Sequence, residues 1–242
     1  MNDRVTWPKL RGLTAARIGL ARSGASLATA PLLDFRLAHA RARDAVHARL
    51  DETALLAALP APAILVESQA TDRPTYLMRP DLGRALHPDS ARALSDQAGD
   101  CDLAIILGDG LSADAVQRHA PPLLAMLLPA LATSGLALAP LVVARGARVK
   151  LGDAVAQTLG AKAALILIGE RPGLSAPDSL GAYLTWAPHA ATHDAERNCI
   201  SNIRPEGLSY QEAGYRIVYL LEQMRKLGRS GVTLKDLSDT AS

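Results

Sequence analysis

Three short apolar runs, residues 101–107, 136–144 and 163–168, recur in the second half of the chain, and the stretches between them are long enough for helices. Runs of this length, built from Leu, Ile, Val and Ala, read as buried strands. The intervening stretches carry helix signals. Ser112 is placed to cap a helix from Ala113, and Pro121 to open a second one over residues 122–132. Asp153 begins a helix that reaches Leu159, with Gly160 as its C-cap. Alternation of this kind allows few folds, because parallel strands need a crossover and the crossover is right-handed. The pattern predicts an α/β fold, a mostly parallel sheet flanked by helices in a Rossmann-like arrangement. A further strand is expected at 182–186. Ser209 and Glu212 form a capping box for a last helix, whose Ile217, Leu220, Leu221 and Met224 face the core.

The strict alternation begins near Gly99, so two regions are expected. Residues 1–98 form a helical N-terminal region with a short strand pair, and residues 99–242 form the α/β domain. Within the first region, 10–59 has helical periodicity, broken at Ser23-Gly24. Leu32, Phe35, Leu37, Ala38, Val46 and Leu50 mark one face of it. Arg36, Arg41, Arg43 and Arg49 make the same segment basic, as a solvated face or a docking face would be. The strand pair is 63–67 and 75–84, the second ending in a turn because Pro80 biases Arg79 away from helical geometry. Ser90 caps a helix to Gln97.

Composition closes off several functions. Aromatic residues are 3% of the 242, too few for a stacking platform for single-stranded nucleic acid, and the net charge of +2 gives no field to attract a polyanion. No run approaches the ~20 apolar residues of a membrane span. The first residues lack the apolar stretch of a signal peptide, and two cysteines make no disulfide framework. These features lead us to expect a soluble, cytoplasmic protein with no nucleic-acid or membrane partner.

If the strands are parallel, the loops 108–112, 145–150 and 169–175 share one end of the sheet, where open α/β sheets bind ligands. That end gathers Asp109, Ser112, Arg145, Arg148, Glu170, Arg171 and Ser175. Such a mixed-sign rim suits a large ligand bearing amides and a phosphate, with Glu170 accepting from amide N–H groups. Known catalytic patterns mostly fail. Gly108-Asp109-Gly110 with Ala113 is a partial dinucleotide fingerprint, and it supports a self-sufficient nucleotide-binding α/β oxidoreductase as the alternative reading. There is no nucleophile elbow and no P-loop lysine. His189, His193 and Cys199 fit no standard zinc spacing, so no metal site is expected. Residues 197–207 make a poor helix and a poor strand, and need side-chain bonds to backbone or ligand to be held.

Five blocks carry a resemblance. They are Arg79-Pro80-Asp81-Leu82-Gly83-Arg84, Asp109-Gly110-Leu111-Ser112-Ala113-Asp114, Arg148-Val149-Lys150-Leu151-Gly152-Asp153, Gly169-Glu170-Arg171-Pro172-Gly173-Leu174 and Cys199-Ile200-Ser201-Asn202-Ile203. Their order and content closely resemble the small (light) subunit of ethanolamine ammonia-lyase, from about Leu10 to the C-terminus. The resemblance implies an adenosylcobalamin-dependent carbon–nitrogen lyase that turns ethanolamine into acetaldehyde and ammonia. In that family a large subunit, a (β/α)8 barrel, holds the substrate and the catalytic residues. The small subunit covers the cobalamin from the other side and contributes no catalytic residue. The family's small-subunit cofactor contacts map onto Val149, Glu170 and Cys199. The chain has no Asp-x-His-x-x-Gly motif, in keeping with the family's base-on cofactor. Some relatives carry a longer N-terminal extension that directs them to a bacterial microcompartment. This chain begins close to the region of resemblance, which leaves encapsulation an open expectation.

Overall fold

The computed structural model describes residues 6–14 and 16–238. A short helix, α1 (Trp7–Arg11), and a small hairpin, β1 (Arg22–Ser23) and β2 (Ser26–Leu27), precede the helices α2 (Thr29–His47) and α3 (Glu52–Ala58). β3 (Ala63–Glu67), α4 (Arg73–Met78) and α5 (Pro88–Ser95) follow. Strand and helix then alternate through β4 (Cys101–Gly108), α6 (Ala113–Thr133), β5 (Leu141–Arg145), α7 (Leu151–Leu159) and β6 (Ala161–Gly169). β7 (Leu180–Trp186), β8 (Arg197–Ile203) and α8 (Tyr210–Leu227) complete the described fold.

Six strands form the main sheet in the order β3-β5-β4-β6-β7-β8. The first four are parallel, and β7 and β8 are antiparallel to their neighbours. The reversal has a simple cause. Only a short loop joins β6 to β7, and a parallel return needs a long crossover. β3 pairs with β5 along its whole length, so the first 98 residues supply an edge strand to the sheet.

Side chains alternate along the central strands and build two cores. Leu103, Ile105, Leu107, Leu165 and Leu167 point toward α6 and α8, whose Leu123, Leu127, Leu220 and Met224 meet them. Ala104, Ile106, Val142, Ala164 and Ile166 point the other way, against Leu151, Val155 and Leu159 of α7. Burial on both faces explains why these strands read as unbroken apolar runs.

Several expectations are corrected. Residues 75–84 are no strand. Asp72 accepts from Thr75 N–H at 2.7 Å and caps α4, Pro74 suits its first turn, and a 3₁₀ turn follows at Leu82–Arg84. The cap outweighs the bias that Pro80 places on Arg79. Pro121 and Pro122 open no new helix but lie inside α6, with Pro129. Each removes a ladder N–H, yet full burial of Leu123, Leu124, Leu127 and Leu131 holds the helix through them. His87 rather than Ser90 caps α5. Residues 197–203 form a real strand, polar because it lies at the sheet edge. In α2 only Ala45 is buried, and Leu33 and Leu37 are 57% and 52% exposed, so the face marked by Phe35 and Leu37 does not meet the core.

Candidate functional site

The chain leaves β4 for β5 on one side and then crosses to β6 on the other. The loops after these strands diverge there, leaving a crevice at the carboxyl end of the sheet. All three loops meet at this end, as the sequence predicts, and they are laced together. The buried Asp109 carboxylate accepts from Gly146 N–H at 3.1 Å and Ala147 N–H at 2.9 Å. Burial pushes its carboxyl above the ordinary value, against the pull of these donors and of Arg73. Leu111 N–H donates to Gly169 O at 2.9 Å. Gly110 has φ +57°, and a Cβ there would lie 2.2 Å from Gly169 O. The glycines of the partial dinucleotide fingerprint therefore serve loop-to-loop packing.

Tyr76 of α4 plugs the base of this arrangement. It is buried, its hydroxyl donates to Ala147 O at 3.1 Å, and burial pushes its pKa up to about 12. The guanidinium groups of Arg73 and Arg148 lie 4.7 and 4.2 Å from its ring centroid. Arg73 also donates to Val46 O and Gly110 O, each at 2.7 Å. Arg148 N–H donates to Gly83 O at 2.8 Å, and a Cβ on Gly83 would sit 2.8 Å from Arg148 Cγ. Four of the five sequence blocks thus meet in two pairs, 79–84 with 148–153 and 109–114 with 169–174.

Two adjoining cavities open beside them. One, about 470 Å³, is lined by Leu111, Val149, Ile168, Glu170, Arg171 and Ser201 among others. The second, about 450 Å³, runs from Arg84 past Val149 and Lys150 to His193 and Cys199. Arg148, Val149 and Tyr183 line both. Val149, Glu170 and Cys199 therefore share one continuous rim. The Glu170 carboxylate accepts from the Ser201 hydroxyl and, at 3.0 Å, from Asn202 N–H. Cys199 is exposed on β8 opposite Tyr183 of β7, and the two side chains are hydrogen-bonded. Desolvation by surrounding atoms, and then the Glu170 charge, hold the thiol above its ordinary pKa despite that bond. Desolvation likewise raises the Tyr183 hydroxyl.

Other expected rim residues lie apart. Arg145 pairs with Glu52 and Glu67 and lines a separate cavity with Arg73 and Asp109. Ser175 borders a groove against Leu37 and Arg41 of α2. His193 and Cys199 line one cavity, but among the described residues no three His, Cys, Asp or Glu side chains are grouped to hold a metal ion. Among the described residues no helix is long and apolar enough to cross a membrane.

Sequence reasoning missed Tyr76, Tyr183 and the buried pair Asp153–Arg197. Arg197 joins Asp153 of α7 and donates to His193 O at 2.8 Å, so it ties the helix after Val149 to the strand that carries Cys199. Burial pushes the Asp153 carboxyl up against the pull of Arg197. The signal was present for Arg197 alone, in the recognition that 197–207 needs side-chain bonds.

Fold and crevice together define a doubly wound α/β protein with a broad, open crevice at its switch point. Its sequence matches the family model of the ethanolamine ammonia-lyase light chain over residues 4–235, and the chain belongs to that family. It is 52% identical over 242 residues to the ethanolamine ammonia-lyase small subunit of Azotobacter vinelandii, covering 97% of this chain and 90% of that one. The protein of the same name from Bradyrhizobium diazoefficiens is 56% identical over 234 residues, with 95% and 90% covered. The one from Pseudomonas syringae pv. tomato is 51% identical over 237 residues, with 95% and 83% covered.

Proposed function

We propose that this chain is the cofactor-holding small subunit of an ethanolamine ammonia-lyase, acting with a large subunit to convert ethanolamine to acetaldehyde and ammonia. In this reading the cofactor is adenosylcobalamin, held at the interface with the large subunit through Val149, Glu170 and Cys199. Residues 99–242 are the cofactor-binding unit. The small subunit supplies no catalytic residue, and the complex works in the cytoplasm.

The observation that carries the reading is the single rim shared by those three residues across two open cavities. The lining suits a wide group edged with amides. Leu111, Val149 and Ile168 give an apolar wall, and Glu170 an anionic acceptor with lone pairs left over. The Ser201 and Tyr183 hydroxyls can each donate or accept. When bound, adenosylcobalamin would supply the radical chemistry through its cobalt–carbon bond. The residues of this chain hold and orient it and keep water from one side. Desolvation raises the Cys199 thiol above its ordinary pKa, and Glu170 already accepts from Ser201 and Asn202, which suits side chains that hold a ligand.

Reconstitution tests the reading. The purified chain alone should show no ammonia-lyase activity, and adding the large subunit and adenosylcobalamin should restore it. Full activity from the isolated chain would refute the assignment. The corrinoid absorption band should co-elute with the two-subunit complex on gel filtration.

A further inference from the structure

The second cavity is unbalanced in charge. Arg84, Arg148, Lys150 and Arg197 line it, and Asp194 is the one carboxylate in its lining. Arg197 is neutralised by the buried Asp153. Arg84 has no ion pair and no side-chain hydrogen bond among the described residues. Arg148 spends Nη2 on Tyr76 O, at 3.0 Å, and Lys150 donates to Thr192 O, at 3.3 Å; among the described residues neither is in an ion pair, and Lys150 lies within the field of the buried Asp153. The cavity beside Arg145 differs. There Arg49, Arg73 and Arg145 face Glu52, Asp72 and Asp109. Three cations outside ion pairs around one opening suit an anion with several oxygens, and a phosphoryl group is one that Arg and Lys commonly bind together.

The cations are held in place by the fold. Gly83 is pressed against the Arg148 side chain, which fixes the chain direction into Arg84. Arg148 is stacked on Tyr76, and Lys150 opens α7. The cluster borders Val149, which lines both cavities.

We propose that Arg84, Arg148 and Lys150 form a phosphodiester site that takes the phosphate of the cofactor's nucleotide arm. This rests on the cofactor reading above. It assigns electrostatic recognition to the Arg84 side of the rim and amide recognition to the Glu170 side.

The test uses the assembled two-subunit complex and two probes followed by visible absorption, cobalamin and cobinamide. Cobinamide has the corrin ring and its amides but lacks the phosphodiester and nucleotide. Arg84→Ala and Lys150→Ala should each weaken cobalamin about tenfold, the scale of one charge-assisted bond, and leave cobinamide unchanged. Wild-type affinity for cobalamin should fall with added salt more steeply than that of the variants. Arg84→Gln, which keeps the stem, guards against loss of fold, and co-elution with the large subunit confirms assembly. Equal losses for both corrinoids, or no loss for either, would overturn the proposal and leave the cofactor reading standing. Inorganic phosphate binding to a wild-type complex that does not distinguish the two corrinoids would assign the cluster to a free anion and overturn it too. A wild-type complex that binds neither corrinoid would sink both.

Discussion

Glu170 fastens Asn202 by its backbone: Oε2 accepts the Asn202 N–H at 3.0 Å, while Oε1 accepts from the neighbouring Ser201 hydroxyl. Asn202 has φ +59°, and it lies where β8 bulges, with residues 201 and 202 facing the single Gly181 of β7. A Cβ on Gly181 would come within 3.0 Å of Glu170 Oε1. One carboxylate therefore both rims the crevice and shapes the strand across it.

This double duty makes Glu170→Ala a two-readout variant. Losing the bonds to Ser201 and Asn202 should cost about 1–3 kcal/mol of stability, read by urea denaturation. The cobalamin concentration that half-saturates the assembled enzyme should rise about tenfold in parallel. Glu170→Gln, with one acceptor oxygen left, should fall between. An unchanged cobalamin titration would count against direct binding by this residue.

Gly110 and Gly135 both have positive φ, at +57° and +69°, but only Gly110 is enclosed. A methyl on Gly110 meets the Gly169 carbonyl, whereas one on Gly135 meets nothing within 4 Å. Gly135→Ala should cost only the backbone strain, about 1–2 kcal/mol. Gly110→Ala should cost clearly more and, by prising apart the first and third loops, should abolish corrinoid retention. Thermal melts of the pair decide the point, since equal shifts would mean the loops are not packed as described.

His119 is buried, its Nδ1 lies 2.8 Å from the Tyr210 hydroxyl, and its Nε2 has no hydrogen-bond partner among the described residues. Burial lowers its pKa below the ordinary 6.5, against the pull of Asp178, 3.8 Å from Nε2. The unfolded chain then binds the proton more readily, so stability rises with pH. Its contribution is complete above the unfolded value and is lost as pH falls below it. Melting temperatures from pH 7.5 down to 5.5 should drop, and His119→Gln should flatten that dependence. A parallel slope in the variant would assign the titration elsewhere.

Legibility in the sequence varies along the chain. The central strands were legible because both faces are apolar, and a run such as Leu165-Ile166-Leu167-Ile168 admits few other readings. Ser112 and Gly160 were legible because a cap is a local bond. Residues 75–84 misled because Asp72, the true cap, stands upstream of the segment and its weight against Pro80 is a tertiary matter. β8 was obscured by its edge position, where pairing rather than side-chain pattern makes the strand. Within the site, Glu170 was named from its loop and Val149 and Cys199 from resemblance, and only the folded chain shows that the three share a rim. Arg148 was expected at that end of the sheet, whereas Tyr183, which with it joins the two cavities, sits on a strand whose pattern gives no hint of the site.

Asp153 and Arg197 form a buried ion pair near the rim, with side chains 5% and 3% exposed. Removing one partner strands the other. Arg197→Met should destabilise by about 3–5 kcal/mol, while joining it with Asp153→Leu should recover part of that loss because no unpaired charge remains. Additive effects in the double variant would mean that the pair is not coupled. The single variant also carries a sign. Burial already raises the Asp153 carboxyl, and Arg197 is the largest influence opposing it. Without the guanidinium the folded-state value climbs further, so the folded chain holds the proton more tightly than the unfolded chain. Stability of Arg197→Met should therefore be greatest at low pH and fall as pH rises through the folded-state value. Denaturation midpoints that rise with pH over that window would show that the buried carboxylate has found another partner.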